Sequence, residues 1–200
     1  ADLVVMTTHG RSGIRRAWLG SVADHLVRSL DIPIVLVTAH EAPSAAEPEE
    51  ILVALDGSPL AEGVLQPAAT LARALEARLS LLQVVPPVPL VTDPPLPWAL
   101  GFDQGLTTIR RQQAQDYLDD VAQRLRDKGL EVSGAAVVAA PVAQAILDVA
   151  RAEAVGMLAV ATHGRGGLRR VMLGSVADKL VRGAEKPVLV VRPPPVRRSR

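Results

Sequence analysis

A chain of 200 residues with 22 Lys+Arg, 21 Asp+Glu and a formal net charge of +1 has no charge excess that singles out a strongly acidic or basic partner. Its 48% hydrophobic content is ample for a core, the 2% aromatic content makes that core aliphatic, and the absence of cysteine excludes disulfides and thiolate metal sites. No apolar run approaches the roughly 18 to 20 residues of a membrane helix, and the first residues do not have the pattern of a signal peptide.

In chain order, residues 3–6 form a short apolar run that reads as a strand. A glycine-containing loop, a helix opening near Ser21 and an apolar run at 34–37 follow. Residues 1–39 are expected to be the C-terminal fragment of a domain whose first three strands and helices are missing. A piece this short cannot bury a core alone, so it either docks on the rest or is poorly ordered. Residues 40–50, HEAPSAAEPEE, read as a linker.

A complete unit is expected over 51–192, with a basic tail at 193–200. Residues 51–55 are its first strand, ending in Asp56-Gly57-Ser58-Pro59. There Ser58 can cap, and Pro59 can open, a helix running to about Glu76. Ala61, Val64, Leu65, Ala68, Leu71, Ala72 and Leu75 keep the helical period. Residues 79–85 are the second strand. The proline-rich stretch 86–105, with Trp98 and Phe102, is long for a connection. It reads as a lid, a partner contact or, the preferred reading, a loop whose aromatics dock on the nearest apolar surface.

Residues 106–128 form an amphipathic helix with Ala114, Tyr117, Leu118, Val121 and Leu125 on one face, ended by Gly129. A third strand over 130–138, a third helix over 142–154 and a fourth strand over 157–161 complete the order. Strand, helix, strand, repeated to five strands, specifies an α/β fold with an open parallel sheet and helices on both faces. In such sheets ligands sit at the carboxyl ends of strands where the winding reverses.

Residues 162–191 repeat residues 8–37 without a gap at a spacing of 154, with 18 of 30 aligned positions identical. Each copy reads as glycine loop, helix, strand. Ser175 with Asp178, and Ser21 with Asp24, resemble capping boxes. Gly164, Gly167 and Gly174 supply backbone N–H groups that can converge on one point at a strand end, backed by a helix N-terminus, an arrangement that favours an anion such as phosphate. Taken singly, the serine is a cap and the glycines are turn residues; taken together they favour the anion site.

Gly164, Gly174 and Ser175, with His163 before the first glycine, and likewise Gly10, Gly20 and Ser21, follow the pattern Gly-x9-Gly-Ser, which closely resembles the universal stress protein family. The resemblance is strong at this segment and covers 51–192, with 1–38 as a fragment. The chain departs from the family's Gly-x-x-Gly-x9-Gly-Ser/Thr at the first glycine, which is Ala161 in one copy and Thr7 in the other, and at Ala140. The resemblance implies an adenine nucleotide alpha hydrolase-like sheet of order 3-2-1-4-5, with the loops after residues 55 and 161 facing one crevice. It implies that ATP, with or without magnesium, is held by Asp56 at the nucleoside, the Val84 backbone at adenine, and Ala161, Gly164, Arg165, Gly174, Ser175 and the Val176 N–H around the phosphates. Asp56 also reads as a turn residue binding its own downstream N–H groups, and Arg165, Arg169 and Arg170 as solvated loop charges.

The family further implies a cytoplasmic protein that self-associates through last strands, setting Ile34, Val35 and Val37 against Val188 and Val190, with no membrane and no nucleic-acid partner. His163 has no triad partner, and the basic residues Arg192, Arg197, Arg198 and Arg200 read as a plain tail. The function expected is therefore a stress-response ATP-binding module acting as a conformational or dimerisation switch, at most a slow ATPase. The alternative is a dimerising scaffold that has lost nucleotide binding.

Overall fold

The computed structural model describes residues 1–7, 21–37, 48–90, 101–153, 155–162 and 173–193. Among these, the strands β1 (Val4–Thr7), β2 (Ile34–Val37), β3 (Glu50–Ala54), β4 (Arg78–Val85), β5 (Val132–Val138), β6 (Met157–Ala161) and β7 (Val188–Val191) form one sheet in the order β1-β2-β7-β6-β3-β4-β5. Five of them, read β5-β4-β3-β6-β7, are all parallel to their neighbours and have the expected order 3-2-1-4-5. The expected strand count of five is corrected: β1 and β2, the strands of the expected fragment, dock on β7 and extend the same sheet to seven strands.

The extension is antiparallel, with Ile34 opposite Val190, Val35 opposite Leu189 and Leu36 opposite Val188. Adding the repeat spacing of 154 to Val35 gives Leu189, so the central pair joins equivalent residues of the two copies. The register Val4↔Ile34, Val5↔Val35 and Met6↔Leu36 reappears as Leu158↔Val188, Ala159↔Leu189 and Val160↔Val190. The copies thus meet around a pseudo-twofold axis between Val35 and Leu189, an isologous contact made within one chain. Val37, expected in this pairing, falls outside its register and instead faces Thr7 of β1. Since β2 and β7 each have a neighbour on both sides, neither presents a free edge to a second molecule.

Helices cover both faces, as the strand-helix order requires. The 3-10 turn Ala61–Val64, α2 (Leu65–Ala74) and α3 (Gln104–Arg126) lie on one face, with Ala68, Ala72, Leu118, Val121 and Leu125 in its core. The other carries α1 (Ser21–Ser29), α4 (Val142–Ala152) and α5 (Ser175–Gly183). In α4 and α5 the buried positions Ala143, Ile146, Leu147, Ala150 and Ala177, Leu180, Val181 recur at three- and four-residue spacing, which lays each helix flat on the sheet. Each leucine so buried contributes about 1.5–3 kcal/mol.

Two boundaries differ from expectation. Glu50, read as the end of the linker, opens β3 at 6% exposure, because Arg78 at 2.8 Å and the Ser80 hydroxyl satisfy its carboxylate. Helix α3 begins at Gln104, before residue 106, because the Asp103 carboxylate accepts from the Leu106 N–H at 2.8 Å. Phe102 stays 55% exposed instead of docking, while Trp98 lies outside the described residues.

The end of α2 supplies a stability prediction. Ala77 N–H bonds to the Ala72 carbonyl at 2.9 Å, a Schellman closure that drives Glu76 to φ 53. The comparable turn after α3 uses Gly129, at φ 79. Glu76→Gly is expected to stabilise the protein by about 1 kcal/mol, raising Tm by about 2–4 °C in a thermal melt.

Candidate functional site

The winding of the sheet reverses between β3 and β6: the chain runs outward through β4 and β5 on one side and through β7 on the other. Their ladder ends at Ala54 opposite Val160, so two residues further on Asp56 and Thr162 leave neighbouring strand ends. This is the crevice in which a doubly wound sheet offers its loops to a ligand.

Asp56 heads the first loop. Its Oδ1 accepts from the Ser58 N–H at 2.9 Å, and Ser58 Oγ accepts from the Ala61 N–H at 3.1 Å, so the loop is wound tight before the 3-10 turn. Gly57 between them sits at φ 78, where a side chain would be strained. The turn role of Asp56 is therefore present in the geometry, and its carboxylate stands half-buried at the strand end.

On the second side, Ala161 is the buried last residue of β6, and Thr162, at 3% exposure, donates its N–H to the Val191 carbonyl at 2.8 Å. The Thr162 carbonyl accepts from the Gly174 N–H at 2.8 Å, which closes the intervening loop at its base. Gly174 is the N-cap of α5, with no side-chain cap bond; the expected Ser175–Asp178 capping box does not form, because Ser175 is already the first helical residue. The first intrahelical bond runs from the Asp178 N–H to the Gly174 carbonyl at 2.8 Å. The N–H groups of Ser175 and Val176 thus have no intrahelical acceptor, and the Ser175 side chain is exposed beside them. Gly174 contributes its shape and not its N–H. A Cβ placed there would lie 3.0 Å from the Thr162 oxygen.

Val84 lies beyond the last β3–β4 pair, Ala54↔Leu82. Leu55 donates to the Leu82 carbonyl at 2.9 Å and Ala139 to the Val85 carbonyl at 3.2 Å, so even positions of β4 turn their backbone toward β3 and odd ones toward β5. The Val84 N–H and carbonyl accordingly point over the end of β3, toward the Asp56 loop. Gly164, Arg165, His163, Arg169, Arg170, Gly10 and Gly20 lie outside the described residues, as do Arg197, Arg198 and Arg200. Arg192 lies 3.6 Å from Asp31, bridging the two copies.

Sequence reasoning missed three polar features. Gln83, at 7% exposure, has an Oε1 with no hydrogen-bond partner. The Tyr117 hydroxyl is likewise buried and unpartnered; burial pushes its pKa up, and the Glu62 carboxylate adds to the rise, so it stays protonated. At the opposite, amino end of the strands, Glu50, Arg78, Ser80, Glu131, Ser133 and Glu153 line a cavity of about 420 Å³. Ser80 and Ser133 hydroxyls there are 3.2 Å apart, and the Glu50 carboxylate is held by Arg78 and Ser80. No signal in the sequence marks any of these, because a buried glutamine in an apolar strand reads as a single interruption of the run. Among the described residues no three His, Asp or Glu side chains group to hold a metal, and no helix is long and apolar enough to cross a membrane.

Comparison with known proteins places these features in a wider set. The family model described as "Universal stress protein family" matches residues 1–38 and 48–192. The chain is 29% identical over 196 residues to Universal stress protein Rv2005c of Mycobacterium tuberculosis, covering 96% of this chain and 62% of that relative's length. Its fold is similar to that of a universal stress protein from Archaeoglobus fulgidus, with a TM-score of 0.64 at 19% identity, over 97% of this chain and 62% of the other. A universal stress protein solved in complex with cAMP is similar with a TM-score of 0.54 at 21% identity, over 74% of this chain and 99% of that one.

Proposed function

The chain belongs to the universal stress protein family, and from that premise we propose that it is a stress-response module that binds an adenine nucleotide, ATP first, in the crevice between β3 and β6. What supports this reading is that three groups lie at the carboxyl ends of the strands that flank the switch point, or just after them. They are the Asp56 carboxylate, the Val84 backbone beyond the end of β3, and the Ser175 and Val176 N–H groups at the start of α5. The similar universal stress protein solved with cAMP supports an adenine-containing ligand.

In this reading the nucleoside lies toward Asp56 and Val84, and the phosphates toward α5, where the helix dipole and unpaired N–H groups favour negative charge. Gly164 and Arg165 are assigned to the phosphates by the motif alone, and Ala161 ends the strand on that side, with magnesium joining the phosphates where it is present. Residues 50–192 act as the complete module and 1–39 as the matching part of a second one, joined by 40–49. Nucleotide binding across the two loops shifts the surface they present to a partner or a second subunit, a switch that needs no catalytic group and turns over ATP slowly at most.

The two roles of Asp56 separate in Asp56→Asn, which keeps an oxygen for the Ser58 N–H and removes the charge. ATP affinity in magnesium buffer, measured by calorimetry, is expected to fall about tenfold with the melting temperature unchanged. Unchanged affinity would leave Asp56 as a turn residue alone. A scaffold without nucleotide is favoured by the Gly174 N–H being taken up by Thr162 and by Ala161 in place of the family's glycine; it predicts no ATP heat from the unmodified chain.

A further inference from the structure

β5 ends one side of the sheet, with β4 as its single strand partner among the described residues. Ala139 donates to the Val85 carbonyl and Leu79 to the Glu131 carbonyl, so odd positions along β5 face β4, and the backbone groups of Val132, Gly134, Ala136 and Val138 point outward. Such a row is a template for a further strand unless something covers it. Here the cover comes from α3. The Gln115 carboxamide donates from Nε2 to the Gly134 carbonyl at 3.1 Å and accepts at Oε1 from the Ala136 N–H at 2.9 Å. These are the two bonds that one residue of a parallel strand would make on either side of Ala135. Nε2 also donates to Asp119 Oδ1 at 2.9 Å, which fixes the carboxamide, and Arg126 Nε donates to the Val132 carbonyl at 2.9 Å further along the edge. Gly134 lets the helix come this near, since a Cβ there would stand 3.2 Å from the Leu118 Cβ.

We propose that Gln115 guards the β5 edge against a second copy of this chain, its side-chain amide standing where a neighbouring strand's peptide group would be. The strand it keeps out is the second copy's own β5. Ser133 and Ala135 on this edge are exposed and too small to hold another backbone away. The chain already joins equivalent strands edge to edge and antiparallel at β2 and β7, the contact that two β5 edges would repeat about a twofold axis. An antiparallel β5 pair would use the same Gly134 and Ala136 groups, so the guard and the partner exclude each other.

The test measures mass by light scattering over a range of concentrations, and exchange of the Ala136 amide by NMR. The proteins compared are the unmodified chain, Gln115→Met, and Gln115→Met combined with Ala135→Lys. Gln115→Met keeps the volume and the helix propensity and removes both bonds to the edge. Its mass is expected to rise with concentration to twice that of the unmodified chain. Lysine at the exposed position 135 places like charges near the middle of the pair and should return the mass to that of the unmodified chain. The Ala136 amide should exchange about tenfold faster in dilute Gln115→Met than in the unmodified chain, and slow again as the pair forms. A Gln115→Met mass equal to that of the unmodified chain at every concentration, or an added mass that survives Ala135→Lys, overturns the proposal. So does rapid exchange of the Ala136 amide in the unmodified chain, a reading that needs no variant to fold.

Discussion

Gly174→Ala is expected to weaken ATP binding about a hundredfold while lowering the melting temperature by only a few degrees. The added Cβ would stand 3.0 Å from the Thr162 oxygen, the atom that accepts the Gly174 N–H and closes the loop between β6 and α5. Two backbone segments meet there, so neither can yield by turning a side chain. Relief requires the loop base to open, and with it the Ser175 and Val176 N–H groups are re-aimed. Charge-assisted bonds from two such donors are together worth about 3 kcal/mol or more, which is the hundredfold expected. Gly174 is half-buried at the tip of α5 and outside both core clusters, so the sheet retains its packing. Calorimetry with ATP and magnesium, paired with a circular dichroism melt, separates the two effects. Full affinity in Gly174→Ala would remove the α5 N-terminus from the phosphate site.

Leu189→Ala is expected to cost about 3 kcal/mol, within the range of about 2–5 kcal/mol for buried leucines, and to lower Tm by about 10 °C. Leu189 is 1% exposed, packs in the core on the sheet face of the 3-10 turn Ala61–Val64, and stands opposite Val35 on the pseudo-twofold axis. The cavity left there cannot collapse from the backbone side, because β7 is tied to β6 and to β2 on its two edges. Urea unfolding should show a lower midpoint with an unchanged slope, the signature of lost packing in an otherwise intact fold. Val22→Ala, on the exposed face of α1, should shift stability by less than about 0.5 kcal/mol in the same assay. Near-identical midpoints for the two variants would contradict the burial of Leu189 between the copies.

The candidate site was legible in part. Asp56 and the Gly174-Ser175 helix start could be read because each lies at the edge of an apolar run, and Val84 was placed by resemblance alone. Gly174 shows why reading stops there. Its motif predicts a phosphate-binding N–H, yet that donor goes to the Thr162 carbonyl, twelve residues earlier, and the N–H groups left without an intrahelical acceptor are those of Ser175 and Val176 in the first turn of α5. Glu50 is a second case. Nothing in an acidic linker sequence marks which glutamate is buried, since the cation that balances it is Arg78, on another strand.

The 154-residue repeat, the aliphatic strands, the helical faces of α3, α4 and α5, and the parallel order of alternating elements are all recorded along the chain. They are periodicities of two or 3.6 residues, and local backbone geometry converts them directly into buried faces. The antiparallel docking of β2 on β7, the axis through Val35 and Leu189, the ion pair at Glu50 and the unpartnered oxygen of Gln83 are not recorded in that way. Each depends on which residue from a distant segment arrives opposite, and that is decided only when whole surfaces close on one another and every buried polar group either finds a partner or is left without one.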